Sequence, residues 1–217
     1  MSSEKTSRDS LKELLCDALE KRESFRCIEG VNPCLITLNS IKFWIYQKNI
    51  TSTAFNKDSD QSDVNRIQLP ERSTFQPIKD SDIAFIFLGY DNDNDVYVTW
   101  NPYTTKQRLN KTKNVSFYSR KNAQQLARET GAFQQAIQTN GSIVLAFPRT
   151  RLADYLLNIA DYFPEMTEYV AIGSKRRKAA DETYKRFVDL KNIKDFLAYL
   201  RSKDYLKEEQ CLAYFKV

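Results

Sequence analysis

The stretch that decides the fold is IAFIFLGYDNDNDVYVTW, residues 83–100. Residues 83–88 are all apolar, which is typical of a central strand that is buried on both faces. Residues 90–95 are rich in Asp and Asn, whose short polar side chains favour turns. Residues 96–100 then alternate between two sets of side chains, as a strand with two different faces does. The stretch therefore predicts a β-hairpin at the centre of the core.

Strands and helices segregate along the rest of the chain. By β-branched and aromatic composition, further strands are predicted at residues 34–38, 41–47, 64–69, 115–119 and 142–147. Apolar spacing predicts helices at residues 10–23, 123–128, 150–163 and 192–200. Because strands dominate the middle without regular alternation with helices, the predicted fold class is α+β. Six to eight short strands are expected to form a small barrel with flanking helices.

Positive charge is concentrated in the middle of the chain. The 217 residues carry a formal net charge of +5, but residues 96–153 contain nine cations and one acid, a balance of +8. A continuous positive surface attracts a polyanion, whereas a mixed surface does not. Nucleic acid is therefore the first partner that the sequence predicts.

Composition disfavours several other classes of protein. The chain has no histidine, and its four cysteines show no C-x-x-C spacing, so histidine-based catalysis and zinc sites are not expected. The cysteines are interpreted as reduced thiols, most of them buried, in a cytoplasmic protein. There is no run of 18 apolar residues, so no membrane span is expected. We expect neither a cofactor nor a metal.

Two acidic patterns are weak candidates for metal chemistry. Asp91, Asp93 and Asp95 have the spacing of a calcium loop but lack its glycine and its final glutamate, so a hairpin turn is favoured. The D-x-K pattern of a metal-dependent nuclease occurs only at Asp189 and Lys191, after a helical pattern instead of a strand. We therefore assign no catalytic residue to this chain.

Three acid-free basic segments are candidate nucleic-acid contacts: residues 101–121, residues 30–57 and the run at residues 174–178. The first is interpreted as an arm that projects from the sheet after residue 100. In the second, Trp44, Tyr46 and Lys48 share one face of a strand, which is either a contact surface or a covered core face. The candidate residues are Asn101, Tyr103, Thr104, Lys106, Gln107, Arg108, Lys111, Lys113, Arg120, Lys121, Lys42, Lys48 and Asn49.

The runs FIFLGYD (residues 85–91), DVYVTWNP (residues 95–102) and NVSFYSR (residues 114–120) resemble the B3-like DNA-recognition domains of bacterial restriction systems. That resemblance covers residues 25–150 and implies a seven-stranded open β-pseudobarrel with flanking helices. It also implies two loop arms that grip the major groove, with residues 101–113 as one arm and the other near residues 39–57. Members occur fused to nucleases or to McrB-like GTPase modules.

The predicted organisation is an N-terminal helix in residues 1–24, a B3-like core in residues 25–150 and a C-terminal helical extension in residues 151–217. The predicted function is site-specific binding of double-stranded DNA within a restriction-modification system. A fused or associated nuclease or AAA+ GTPase domain is the expected protein partner, with no membrane involved. The alternative is a base-flipping or RNA reader of the PUA, EVE or YTH type, which needs an aromatic pocket for which Trp44 and Trp100 are candidates.

Overall fold

Ten strands and six α-helices are present in residues 5–22, 24–52 and 64–168, the part of the chain that the computed structural model describes. The helices are α1 (Arg8–Leu19), α2 (Phe75–Asp80), α3 (Pro102–Gln107), α4 (Lys121–Thr130), α5 (Leu152–Leu157) and α6 (Ile159–Tyr162). The strands are β1 (Arg26–Glu29), β2 (Cys34–Leu38), β3 (Ile41–Asn49), β4 (Thr51–Ser52), β5 (Val64–Pro70), β6 (Ala84–Asp91), β7 (Val96–Trp100), β8 (Asn114–Arg120), β9 (Gln134–Ile137) and β10 (Ile143–Pro148). Single 3-10 turns occupy Arg149–Arg151 and Pro164–Met166.

Seven strands form one open sheet in the order β1-β2-β3-β6-β7-β10-β9. Neighbouring strands are antiparallel except β3 and β6, which are parallel. The predicted α+β class, with seven strands in an open sheet and flanking helices, is therefore confirmed. All eight residues of β6 are buried, as the apolar run at residues 83–88 predicts for a central strand.

A second, three-stranded antiparallel sheet has the order β4-β5-β8. Its strands belong to the two long connections of the large sheet, from β3 to β6 and from β7 to β9. Its inward side chains pack with Phe87 and Trp100 in one buried cluster; they are Ile67, Leu69, Val115 and Phe117. The small sheet therefore covers one face of the large sheet, together with α2 and α4.

The opposite face of the large sheet is covered by helices. Leu11, Leu15 and Leu19 of α1 pack in one cluster with Leu156 of α5 and Ile159 of α6. Each fully buried leucine contributes roughly 1.5–3 kcal/mol of hydrophobic stabilisation. Among the described residues, no helix is long and apolar enough to span a membrane.

The start of α1 differs from the prediction. The helix begins at Arg8, because the Ser7 side chain accepts a hydrogen bond from the Ser10 amide and caps the first turn. It ends at Leu19. Residues 150–163 form a 3-10 turn followed by α5 and α6 instead of one capped helix. The helix predicted at residues 192–200 lies outside the described residues.

Candidate nucleic-acid interface

Residues 101–113 do not form the projecting arm that their composition predicts. Asn101 caps α3, since its Oδ1 accepts a hydrogen bond from the Thr104 amide at 3.2 Å. Pro102 occupies the first turn, where its missing N–H costs nothing. Thr105 and Leu109 are buried, so the segment is folded onto the core. The prediction of an arm was wrong.

Lys106 is a buried structural residue. Its Nζ donates hydrogen bonds to the carbonyl oxygens of Ser81 and of Ile83, the latter at 2.8 Å. Burial lowers the pKa of Lys106, while the carboxylates of Asp82 and Asp80 act in the opposite direction. Lys106 therefore ties α3 to the segment before β6, and its expected contact with DNA does not fit this position.

Arg108 is also engaged within the fold. Its guanidinium carbon lies 4.4 Å from the centroid of the Phe117 ring, within the range of a cation–π contact. Its Nη2 donates a hydrogen bond to the Ser116 carbonyl at 3.1 Å. These contacts hold Arg108 against β8, where it positions the strand.

The other candidates from α3 remain on the surface. Tyr103 is 43% exposed, and Thr104 and Gln107 are exposed as well. The Thr104 hydroxyl donates to the Asn101 carbonyl at 3.2 Å and completes the cap. Tyr103 and Gln107 therefore stay predicted contacts.

The candidates on β3 do not form one site. Lys42 is half-buried near the start of the strand, whereas Asn49 ends it and donates from Nδ2 to the Thr6 carbonyl at 2.7 Å. Seven residue steps in a strand separate them by about 23 Å. Tyr46 is only 2% exposed and packs edge-on against Phe75, so the face that it shares with Trp44 is largely covered.

The paired strands β5 and β8, which we call the ribbon, present an outward face that is polar, basic and aromatic. Register pairs Arg66 with Tyr118 and Gln68 with Ser116. Their alternate neighbours point inward and are buried, which leaves these side chains and Arg120 on the outer face. Tyr118 is 39% exposed. Neither strand contains an acidic residue.

Hydrogen bonds fix the ribbon to its supports. The Trp100 indole Nε1 donates to the Tyr118 carbonyl at 2.8 Å, which joins β8 to β7. Asn65 Nδ2 donates to Gln124 Oε1 at 2.9 Å, and Gln124 Nε2 donates to Ser119 Oγ at 2.7 Å, both in the buried interior. The outward face is therefore carried by a firmly held pair of strands.

The nine cations of residues 96–153 have different roles in the structure. Five are engaged internally: Lys106, Arg108, Arg128, Arg149 and Arg151. Lys121, which is also engaged, lies with three further cations at the two ends of β8: Lys111, Lys113 and Arg120. Within the described part of the chain, ion pairs involve Arg22, Arg149 and Arg151, whereas Arg66, Lys111, Lys113 and Arg120 form none. Four cations that form no ion pair among the described residues therefore lie on the ribbon or directly beside it.

Lys48 and Arg72 add positive charge beside the ribbon. Lys48 Nζ donates to the Gln68 carbonyl at 2.8 Å, and the Arg72 guanidinium carbon lies 5.3 Å from the Tyr46 ring centroid. Burial lowers the pKa of Lys48, and the nearby charges of Arg72 and Lys5 lower it further. These cations repel one another, so an anion beside them is favoured.

The alternative readers and metal sites find little support in the geometry. Trp100 is buried and stacked on Phe87, with 5.2 Å between ring centroids, so it cannot form the wall of an open base pocket. Asp91 Oδ1 accepts the Asp93 amide in a hairpin turn, and Asp95 pairs with Arg149. No group of three metal-ligating side chains occurs among the described residues. The D-x-K pattern at residues 189–191 and the basic run at residues 174–178 lie outside them.

Sequence reasoning missed Arg66, Gln68 and Tyr118. In the strand predicted at residues 64–69, Arg66 and Gln68 lie on the face opposite to the buried Ile67 and Leu69. The period-two alternation of the strand predicted at residues 115–119 was the signal that identifies Tyr118 as outward. The same alternation places Arg66 on the outward face, because its neighbour Ile67 is buried.

The fold and this surface define an α+β protein with a basic, acid-free sheet face. A sequence model of the family described as methylase-associated X1 matches residues 41–156, which are 116 of the 217 residues. The chain therefore belongs to the methylase-associated X1 family, which points to involvement in a restriction-modification system. The match includes β5 and β8 and excludes β1 and β2. No curated protein and no solved structure matches the chain.

Proposed function

We propose that this chain binds double-stranded DNA as the target-recognition component of a restriction-modification system. The observation that carries the proposal is the ribbon: an acid-free outer face with Arg66 and Arg120 unpaired among the described residues. Family membership supports the biological setting. The residues proposed to contact DNA are therefore those of a sheet face and not those of a projecting loop. The proposed site of base recognition is still the major groove.

The dimensions of the ribbon suit a DNA groove. The seven residues of β8 extend about 20 Å, close to the length of six base pairs at about 3.4 Å each. The B-DNA major groove is about 12 Å wide and admits two β-strands side by side; β5 and β8 are the two strands of the three-stranded sheet that carry the outward cations. Outward side chains that are spaced by two residues lie about 6.6 Å apart, so they face every second base pair.

The side chains of the ribbon match the chemistry of base edges and phosphates. Arg66 and Arg120 can each donate two hydrogen bonds to guanine, and Gln68 can bond adenine in the same way. Each such pair provides roughly 1–3 kcal/mol of discrimination against a wrong base. Lys111 and Lys113 are exposed at one end of β8, where they are placed to contact phosphates.

The direct test is selection from three labelled pools at several salt concentrations: randomised duplex, single-stranded DNA and methylated duplex. Enrichment of one unmodified duplex sequence by the purified chain is the expected result. Enrichment from the single-stranded or methylated pool alone would favour the RNA or modified-base reader and would overturn the proposal.

A pair of charge-matched variants locates the binding surface. Arg66→Ala with Arg120→Ala should weaken binding of the selected duplex and relax its sequence preference, because each bidentate base contact provides roughly 1–3 kcal/mol of discrimination. Arg8→Ala with Lys21→Ala removes the same charge from exposed positions in and just after α1, on the opposite side of the large sheet. Equal loss of affinity in both variants would show that net charge alone matters and would exclude the ribbon as the site.

Cleavage of bound DNA is assigned to a partner. A fused or associated nuclease or AAA+ GTPase domain would act on the sequence that this chain selects, and the chain itself is proposed to need no cofactor. Addition of Mg²⁺ to the isolated chain with duplex DNA should produce no cut. Cleavage under those conditions would identify the chain as a nuclease.

A further inference from the structure

Three cysteine thiols meet at the edge of the large sheet under α1. Cys27 of β1 and Cys34 of β2 have their Sγ atoms 3.3 Å apart. Cys16 of α1 lies near Cys27, and burial together with that neighbouring thiol raises the pKa of Cys16. The sequence predicts cysteines that act as small buried residues, and Cys34 fits that role, but Cys27 is exposed.

The geometry of the pair is close to that needed for a bond. The two sulfur atoms must approach by about 1.2 Å to reach the disulfide length of about 2.05 Å. Cys27 pairs in register with Ile36, and Cys34 lies two residues before Ile36 on the same strand. Both side chains therefore point to the same face of the sheet, and small side-chain rotations suffice to join them.

The two thiols differ in access to solvent, and the pKa of the buried one is raised. Cys27 is exposed, so a small oxidant in solution reaches it first. Burial, followed by the hydrogen bond between the two thiols and the charge of Cys27, raises the pKa of Cys34 to about 12. Lys12, whose Nζ donates to the Gly30 carbonyl at 2.8 Å, acts in the opposite direction and lowers the pKa of Cys34.

We propose that Cys27 and Cys34 form a peroxide-sensitive dithiol site, with Cys27 as the reacting thiol and Cys34 as the resolving thiol. The Cys27 sulfur attacks one oxygen of hydrogen peroxide, the O–O bond breaks, and a sulfenic acid and one water are formed. The Cys34 sulfur then attacks the Cys27 sulfur, and the sulfenic oxygen leaves as a second water with the Cys34 proton. Two thiols are oxidised, one peroxide is reduced, and one disulfide closes the β1–β2 hairpin.

Cys16 is the competing thiol, because a Cys16–Cys27 bond would join α1 to β1 instead. The direct contact of Cys27 with Cys34 favours closure within the hairpin. The site is independent of the proposed DNA interface, since the buried cluster beneath the ribbon contains no residue of β1 or β2. Either proposal can therefore fail while the other stands.

The test treats the full chain with hydrogen peroxide and measures intact mass and peptide cross-links. A loss of two hydrogen atoms and a Cys27–Cys34 peptide pair are expected. Cys16→Ser combined with Cys211→Ser should form the same bond at an unchanged rate and should not depend on protein concentration. Cys27→Ser should leave Cys34 as a free thiol under the same treatment.

The trapping variant separates the two steps. In Cys34→Ser with Cys16→Ser, Cys27 should accumulate as a sulfenic acid that dimedone labels. The proposal is overturned if Cys27 remains a thiol in the wild-type chain at excess peroxide. It is equally overturned if the wild-type cross-link joins Cys16 to Cys27 or joins two chains, and these readings do not depend on whether the Cys34 variant folds.

Discussion

Lys106 and Lys111 look alike in the sequence, since both lie in the same acid-free segment. In the structure Lys106 is 7% exposed and bonded to two carbonyls, whereas Lys111 is exposed. The pair Asn101 and Pro102 is a helix-start signal that predicts α3 and excludes a free arm. The burial of Lys106 follows from how α3 lies against the segment before β6, which the local sequence does not determine.

Replacing Lys106 by methionine tests its structural role. Lys106→Met keeps most of the side-chain volume but leaves the carbonyls of Ser81 and Ile83 without their donor. An unsatisfied buried acceptor costs roughly 1–3 kcal/mol, so we expect the free energy of unfolding to fall by about 2–4 kcal/mol. Urea denaturation measures it. Lys111→Met is the matched control and should change stability by less than about 0.5 kcal/mol; equal stability of the two variants would contradict the assignment.

Local sequence patterns predicted the strands and helices more accurately than they predicted the roles of single residues. The buried hairpin of β6 and β7 and the strand β8 were predicted from composition and alternation. The helix α2 was missed because Pro77 lies within its six residues and obscures the pattern. The ribbon was missed for a different reason: β5 and β8 are separated by 43 residues of intervening chain, and their pairing depends on tertiary packing.

The end of α4 provides a test at the scale of one element. Gly131 has a φ of +66° and donates its amide to the Ala127 carbonyl, so it terminates the helix in the left-handed conformation. A Cβ at Gly131 would meet no atom within 4 Å, so strain in the backbone is the main cost of substitution. Gly131→Ala should therefore destabilise the chain by about 1 kcal/mol in chemical denaturation. Gly131→Asn should cost less, because Asn tolerates this conformation; identical losses would argue against a conformational origin.

Sequence periodicity does not determine the topology of the whole molecule. The parallel pairing of β3 with β6 requires a long crossover, and that crossover supplies β4, β5 and α2. The seven-stranded sheet is consequently covered on both faces, by α1, α5 and α6 on one side and by the small sheet on the other. The resemblance to B3-like domains implied seven strands and flanking helices. It did not imply the small sheet that carries the basic face, because that sheet depends on the pairing of β5 with β8, which are distant in the sequence.

Burial of tyrosines on the helical side of the large sheet predicts how stability of the whole molecule depends on pH. Burial, together with the hydrogen bond to Asp95, raises the pKa of Tyr90 to about 12. Burial also raises the pKa of Tyr97 and that of Tyr155 above the usual value of about 10. Unfolded tyrosines release their protons near pH 10 while the native ones retain them, so stability that is present below about pH 10 is lost as pH rises further.

The expected result is a steep fall in the free energy of unfolding above about pH 10, by up to roughly 1.4 kcal/mol per pH unit for each tyrosine. The lowered pKa values of Lys48 and Lys106 act in the opposite direction, because these lysines lose an unfavourable charge as pH rises. Three tyrosines and Cys34, whose pKa values are raised, outweigh the two lysines and leave a net fall. Urea denaturation from pH 8 to about pH 11.5 at constant ionic strength measures it. Tyr90→Phe should make the fall shallower, since phenylalanine cannot titrate, and an undiminished slope in that variant would show that Tyr90 does not contribute.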